Sequence, residues 1–145
     1  MNKFRIIAIG KLPSEYKNIS KHLITMLGKN MEIYELISKK NTIEHEGVMI
    51  LEKISKLDFV ILLDIKGTKF SSEKFSDYLN KISMNHSNIC FIIGGAFGVS
   101  HEVQVRANAT LSFSDMTFPH MLARIMLLEQ IYRSIAISQG HPYHK

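Results

Sequence analysis

The residues of this chain best suited to chemistry stand at its end, which reads Gly140-His141-Pro142-Tyr143-His144-Lys145. Two imidazoles and a phenol offer proton donors and acceptors, and Pro142 restricts the backbone that carries them. Disordered tails are instead rich in Ser, Glu, Gln and Lys. The end is either a working part or a solvated terminus whose histidines do nothing, and the choice falls to the rest of the chain. No metal is expected there: His141 and His144 are three apart, but a single cysteine and no paired carboxylates leave the coordination sphere unfilled. Nucleophilic catalysis is equally unsupported, because there is no G-x-S-x-G elbow and Cys90 lies inside the apolar run Ile89 to Ile93.

A second group of residues is suited to holding a ligand. Gly94-Gly95-Ala96-Phe97-Gly98-Val99 follows an apolar run and precedes Ser100, a helix cap. Its G-G-x-x-G spacing departs from the dinucleotide fingerprint, position 118 is Phe where an acidic ribose partner would fall, and no Gly-Lys-Ser/Thr marks a phosphate loop. Two more loops open at the same sheet edge: Asp64-Ile65-Lys66-Gly67, and Leu111 to Pro119 with Phe113, Ser114, Asp115, Met116, Thr117 and Phe118. With backbone donors, two aromatic rings and little positive charge, the last suits an adenine-like ring better than a triphosphate. A tight structural turn and an ordinary strand-to-helix connection are the alternatives.

The elements that position these loops follow from periodicity. Phe4 to Ile9, Met31 to Ile37, Phe59 to Ile65 and Ile89 to Ile93 read as strands, and the last two are apolar on both faces, as central parallel strands are. Helical patterns alternate with them over Ser14 to Leu27, Thr42 to Lys56, Ser71 to Ile82 and Ser100 to Ala107. That order predicts an α/β fold, an open parallel sheet flanked by helices with right-handed crossovers, in one domain over 1–145. Behind Pro119 a final helix runs from His120 to about Ser138. Met121, Ile125, Leu128, Tyr132 and Ile135 form its stripe at about 100° per residue, and Leu122, Met126, Leu127 and Ile131 widen it. So broad an arc needs cover from a second side, by a symmetric dimer or by neighbouring loops. Arg124, Glu129 and Arg133 fall within or beside it, where pairing or ligand contact is expected.

Composition agrees with a folded domain. Hydrophobic residues make up 46% and charged residues 21%, and 18 Lys and Arg against 13 Asp and Glu give a net charge of +5. That balance favours phosphate-rich partners, although the cations are spread without a block. One cysteine suits a reducing compartment, no secretory or membrane-spanning run is present, and the cytoplasm is the expected location.

The segments "LLDIKG", "FIIGGAFG" and "LSFSDMTFPHMLARIMLLEQIYR", followed by "HPYHK", closely resemble the bacterial RlmH family of ribosomal RNA methyltransferases, within the SPOUT superfamily. The resemblance covers the whole chain and is most specific at its end. It implies a sheet whose C-terminal part is threaded into a trefoil knot, against the general rule on threading, and an obligate homodimer. It further implies S-adenosyl-L-methionine as donor of a methyl group to N3 of a pseudouridine in large-subunit 23S rRNA. Carried over by motif, the cofactor contacts are Leu63, Gly94 and Phe113 through Phe118. The chain departs from familiar members at Ala96-Phe97 and in its short link, Ser38 to Asn41.

Methyl transfer from a sulfonium is an in-line displacement that needs the base nitrogen aligned behind the methyl carbon. N3 of a uracil-type ring carries a proton at neutral pH, so a base or a cation favouring the anionic ring is required. Tyr143 and His144 are the candidates for orienting or deprotonating the base, and Arg133 for steadying negative charge, with the tail reaching the partner protomer's pocket. Arg124, Arg133, Lys145, Lys3, Lys11 and Lys66 are candidate phosphate contacts. The competing reading is a non-catalytic α/β adenine-nucleotide-binding or scaffold protein built on the same glycine turn.

Overall fold

The computed structural model describes residues 3–144. Five parallel strands, β1 (Lys3–Ile9), β2 (Met31–Leu36), β3 (Phe59–Thr68), β4 (Asn88–Ile93) and β5 (Ala109–Leu111), lie in the order β2-β1-β4-β3-β5. Between them run α1 (Ser14–Leu27), a 3₁₀ turn (Gly28–Asn30), α2 (Ile43–Glu52), α3 (Ser72–Ser83) and α4 (His101–Arg106), and α5 (His120–Ser138) closes the chain. The doubly apolar strands are explained by their pleat. Ile89, Phe91 and Ile93 of β4 enter one core with Leu23 of α1, Phe75 and Leu79 of α3, and Leu127, Leu128 and Ile131 of α5. Their neighbours Cys90 and Ile92 enter a second core, on the other face, with Ile50 of α2 and Val103 of α4. Burial pushes the Cys90 thiol up to about 12, which keeps it protonated and inert. Among the described residues no helix is long and apolar enough to cross a membrane.

The structure departs from the sequence reading in several places. A fifth strand, Ala109–Leu111, occupies what periodicity left as connection, being only three residues long. β2 ends at Leu36, one residue before Ile37. α2 stops at Glu52 instead of Lys56, because the following turn is claimed by a buried carboxylate. Asp58 accepts from Arg5 Nη1 at 2.7 Å and from the Ser55 N–H at 2.8 Å, while Arg106 Nη2 donates to the Asp58 and Ser55 carbonyls at 3.0 and 2.9 Å. β3 runs past Ile65 to Thr68.

That last extension shapes the ligand edge. Leu111 is in register with both Leu63 and Thr68, so the intervening residues of β3 arch around it. The Ser112 N–H then donates to the Thr68 carbonyl at 2.9 Å. A Cβ on Gly67 would stand 2.7 Å from the Leu111 backbone, a separation only glycine permits. Gly67→Ala is therefore expected to force the two backbones apart and destabilise the protein by about 1–3 kcal/mol. Urea denaturation should show a lower midpoint at unchanged m-value, and an unchanged midpoint would contradict this packing.

Candidate active site

At the carboxyl end of the sheet, three chain segments enclose a cleft of about 390 Å³. β3 contributes Leu62 to Ile65, the glycine-rich turn after β4 contributes Ile93 to Ala96 with Gly98 and Val99, and the segment after β5 contributes Leu111 to Ser114 and Met116 to Phe118. Such an edge is where parallel α/β sheets bind ligands. The turn is built tightly. Gly98 lies at φ 87°, its N–H donates to the Gly95 carbonyl at 3.1 Å, and a Cβ on Gly94 would meet Val99 Cγ1 at 2.6 Å. The Ser100 hydroxyl caps α4 by accepting from the Val103 N–H at 3.3 Å. Across the cleft, the buried Ser112 hydroxyl donates to the Ser114 carbonyl at 2.9 Å, and the Ser114 hydroxyl accepts from the Met116 N–H at 3.0 Å. These serine bonds hold the loop in shape.

The walls are apolar side chains and backbone. Among the described residues Asp64 is the single carboxylate on them, and no lysine or arginine lines the cleft. A triphosphate would find no cation here, whereas a flat heteroaromatic ring would find Phe113, Phe118 and backbone groups. Leu63, Gly94, Phe113, Ser114, Met116, Thr117 and Phe118, all singled out from sequence, stand together on the walls. Asp115 does not: it turns outward into an ion pair with Lys69.

His120, also on the wall, carried no sequence signal beyond its place after Pro119. Its Nε2–H donates to the Ile9 carbonyl at 2.7 Å, which leaves Nδ1 as a buried acceptor without a partner among the described residues. Burial first, and the Arg124 charge second, hold its pKa below the ordinary value. One turn on, Arg124 is buried and ion-paired with Glu35, with Nη1 3.4 Å from the Gly10 carbonyl. The sequence reading that Arg124 needs a partner is met, but its place among the phosphate contacts is corrected: a buried guanidinium committed to Glu35 is withdrawn from solvent. Burial alone would raise the Glu35 carboxyl; the Leu12 N–H, donating at 2.9 Å, and Arg124 outweigh it and hold the carboxyl below its usual range.

The tail forms a separate cluster. Gly140, at φ 67°, ends α5 with the His141 N–H on the Ala136 carbonyl at 2.8 Å, which turns the chain back along its own helix. Arg133 is clamped by Glu129, with Nη2 at 2.6 Å and Nε at 3.0 Å from Oε1. Tyr143 packs edge-on against Tyr132 with centroids 4.9 Å apart, and its hydroxyl donates to Glu129 at 3.1 Å. Burial, then Glu129, push that phenol above its ordinary value, so it is a donor here and not a base. His144 lies between Arg133 Nη1, 3.0 Å from Nδ1, and Glu73 Oε1, 2.8 Å from Nε2. The three candidate catalytic residues are thus together, but no described hydrogen bond joins them to the cleft of the same chain.

The two groups near the start of α5 give a pH signature. His120 has a folded pKa below the ordinary 6.5 and Glu35 one below the ordinary 4.5. In each case the unfolded state binds the proton first, so stability falls as pH drops: from 6.5 downward for His120, and from 4.5 downward for Glu35. Denaturation across this range should show both losses, and His120→Gln should flatten the first while sparing the second. An unchanged slope above pH 4.5 would contradict the half-buried neutral imidazole.

Comparison with known proteins places this geometry in a family. A family model described as "Predicted SPOUT methyltransferase" matches residues 2–144. The chain is 39% identical over 160 residues to ribosomal RNA large subunit methyltransferase H of Desulfitobacterium hafniense, covering 100% of both chains. It is 42% identical over 146 residues to the protein of the same name from Acholeplasma laidlawii, covering 99% of each. Among solved structures, a probable methylase family protein from Haemophilus influenzae Rd KW20 superposes with a TM-score of 0.61 at 10% identity, over 99% of this chain and 71% of that one. A tRNA (m1G37) methyltransferase from Aquifex aeolicus superposes with a TM-score of 0.57 at 16% identity, over 91% and 70%. These two share the fold, while the full-length matches near 40% identity settle the membership: the chain belongs to the SPOUT methyltransferases and, among them, to the RlmH family.

Proposed function

We propose that this chain is an S-adenosyl-L-methionine-dependent methyltransferase that modifies N3 of a pseudouridine in large-subunit 23S rRNA, working in the cytoplasm as one knotted domain within a homodimer. The observation that carries the reading is a cleft at the sheet's carboxyl edge that is free of lysine and arginine among the described residues and is cradled by Gly94 and Gly95, whose Cβ positions are crowded by neighbouring atoms. The relatives' names supply the ribosomal RNA substrate. A cofactor with an adenine ring, a ribose and a cationic sulfonium fits such walls: Phe113 and Phe118 for the ring, backbone of Gly94 and Leu63 for polar edges, and no cation to repel the sulfonium. Ser114, Met116 and Thr117 complete the loop over it, and Asp115 contributes by bracing that loop through Lys69. When bound, the cofactor supplies an electrophilic methyl group; the protein's task is to align a base nitrogen behind it and dispose of the N3 proton.

The arch of β3 around Leu111 is consistent with a threaded C-terminal segment, which the family resemblance implies. Exposed apolar residues on and before α5, with Leu122 at 38% and Met116 at 72% exposure, support a second protomer covering that face. A partner seated there offers its own tail, with Arg133, Tyr143 and His144, to the neighbouring cleft. Exposed Lys11 and Lys66 at the same edge favour an RNA backbone.

The test is transfer of labelled methyl from S-adenosyl-L-methionine to assembled ribosomes and to free rRNA, followed by mapping of the modified base. Modification at N3 of one pseudouridine is expected, and no transfer to either substrate would contradict the proposal. Removal of residues 141–145 should leave cofactor affinity nearly unchanged and abolish methylation; unchanged turnover would take the tail out of the mechanism.

A further inference from the structure

The hydrogen bonds around His144 carry more chemistry than a folded tail needs. Arginine is a donor only, so the 3.0 Å contact from Arg133 Nη1 makes His144 Nδ1 the acceptor. The proton of the neutral ring is then on Nε2, where it donates to Glu73 Oε1 at 2.8 Å. Glu73 therefore selects the tautomer that turns a basic lone pair toward Arg133. Its own carboxyl is held below the ordinary range, first of all by the His144 hydrogen bond, so it remains ionised beside the ring.

The parts are held at fixed separations. Glu73 stands in the first turn of α3, and Arg133 and Glu129 on α5. The two helices are pinned by Ser72 Oγ on Gln130 Oε1 and by Ser76 Oγ on the Ser134 carbonyl, each at 2.8 Å. Glu129 grips Arg133 through Nε and Nη2, which leaves Nη1 to reach His144. Nη1 and Nδ1 thus present a donor beside an acceptor. That pair is complementary to the imide edge of a uracil-type ring, a carbonyl oxygen beside an N–H; cytosine could pair with it through N3 and its amino group, but its N3 has no proton to give up.

Resting on the methyltransferase reading above, we infer that Glu73 is the positioning carboxylate of a Glu73–His144 pair, which with Arg133 recognises and deprotonates the imide edge of the target base. The base replaces the direct contact between the two side chains: Nη1 donates to the carbonyl oxygen and Nδ1 takes the N3 proton. N3 then forms its bond to the methyl carbon as the carbon–sulfur bond breaks, its electron pair passing to sulfur to give the neutral thioether. The imidazolium, stabilised by Glu73, afterwards returns its proton to water.

Glu73→Gln, Glu73→Asp and His144→Ala separate this from a structural role. Glu73→Gln should bind S-adenosyl-L-methionine as the unsubstituted protein does and lose roughly 10–100-fold in kcat/KM for rRNA, a part of the contribution of a positioned base. Glu73→Asp should restore part of the rate. A Glu73→Gln enzyme with the unsubstituted rate overturns the inference while methyl transfer stands, as does a fully active His144→Ala. An unsubstituted protein that methylates no RNA brings down the functional reading, and this inference with it.

Discussion

One backbone contact organises the ligand edge of this molecule: the tail of β3 lies against Leu111 so closely that Gly67 has no room for a Cβ. Because the chain bends around that point, the end of β3 and the segment after β5 become two walls of a single cleft, with the β4 turn as the third. The contact joins positions more than forty residues apart, and a sheet is what brings them into register. Its hydrogen bond, from Ser112 to Thr68, is a peptide bond pairing like any in the ladder, so the geometry is fixed by backbone shape and owes little to side-chain chemistry.

Charge is partitioned with the same economy. Among the described residues lysine and arginine are kept off the cleft walls, while a cluster where α3, α5 and the tail meet links Arg133, Glu129, Glu73 and two ring side chains by hydrogen bonds. A donor of methyl groups needs the first environment and a proton transfer the second. Between them, the start of α5 is pinned by His120 on Ile9 and Arg124 on Glu35. Arg124 Nε and His120 Nδ1 stay buried without a partner among the described residues, so this anchor holds the helix at some expense in desolvation.

Much of this was legible in the residues. Runs apolar on both faces, such as Ile89 to Ile93, have no use outside a sheet covered on both sides, and they specify the central strands. Glycines at 94, 95 and 98 and the aromatic loop before Pro119 announced themselves because few residue types tolerate such turns. What stayed hidden depends on distant partners. Ala109 to Leu111 is too short to show a period, and it is a strand because β3 offers it an edge. Arg124 could be seen to need a counterion, but Glu35 is 89 positions away. The end of α2 was overrun because nothing local betrays that Asp58 takes the Ser55 N–H. Asp115 sits in a loop whose other members face inward, and its outward turn toward Lys69 is a property of the folded rim.

The assignment of the cleft is tested most directly by calorimetric titration of the intact protein with S-adenosyl-L-methionine and, separately, with ATP. Walls that hold two aromatic rings and, among the described residues, no lysine or arginine should give saturable binding of the sulfonium cofactor and no heat from the triphosphate. Binding of ATP with no response to S-adenosyl-L-methionine would contradict it.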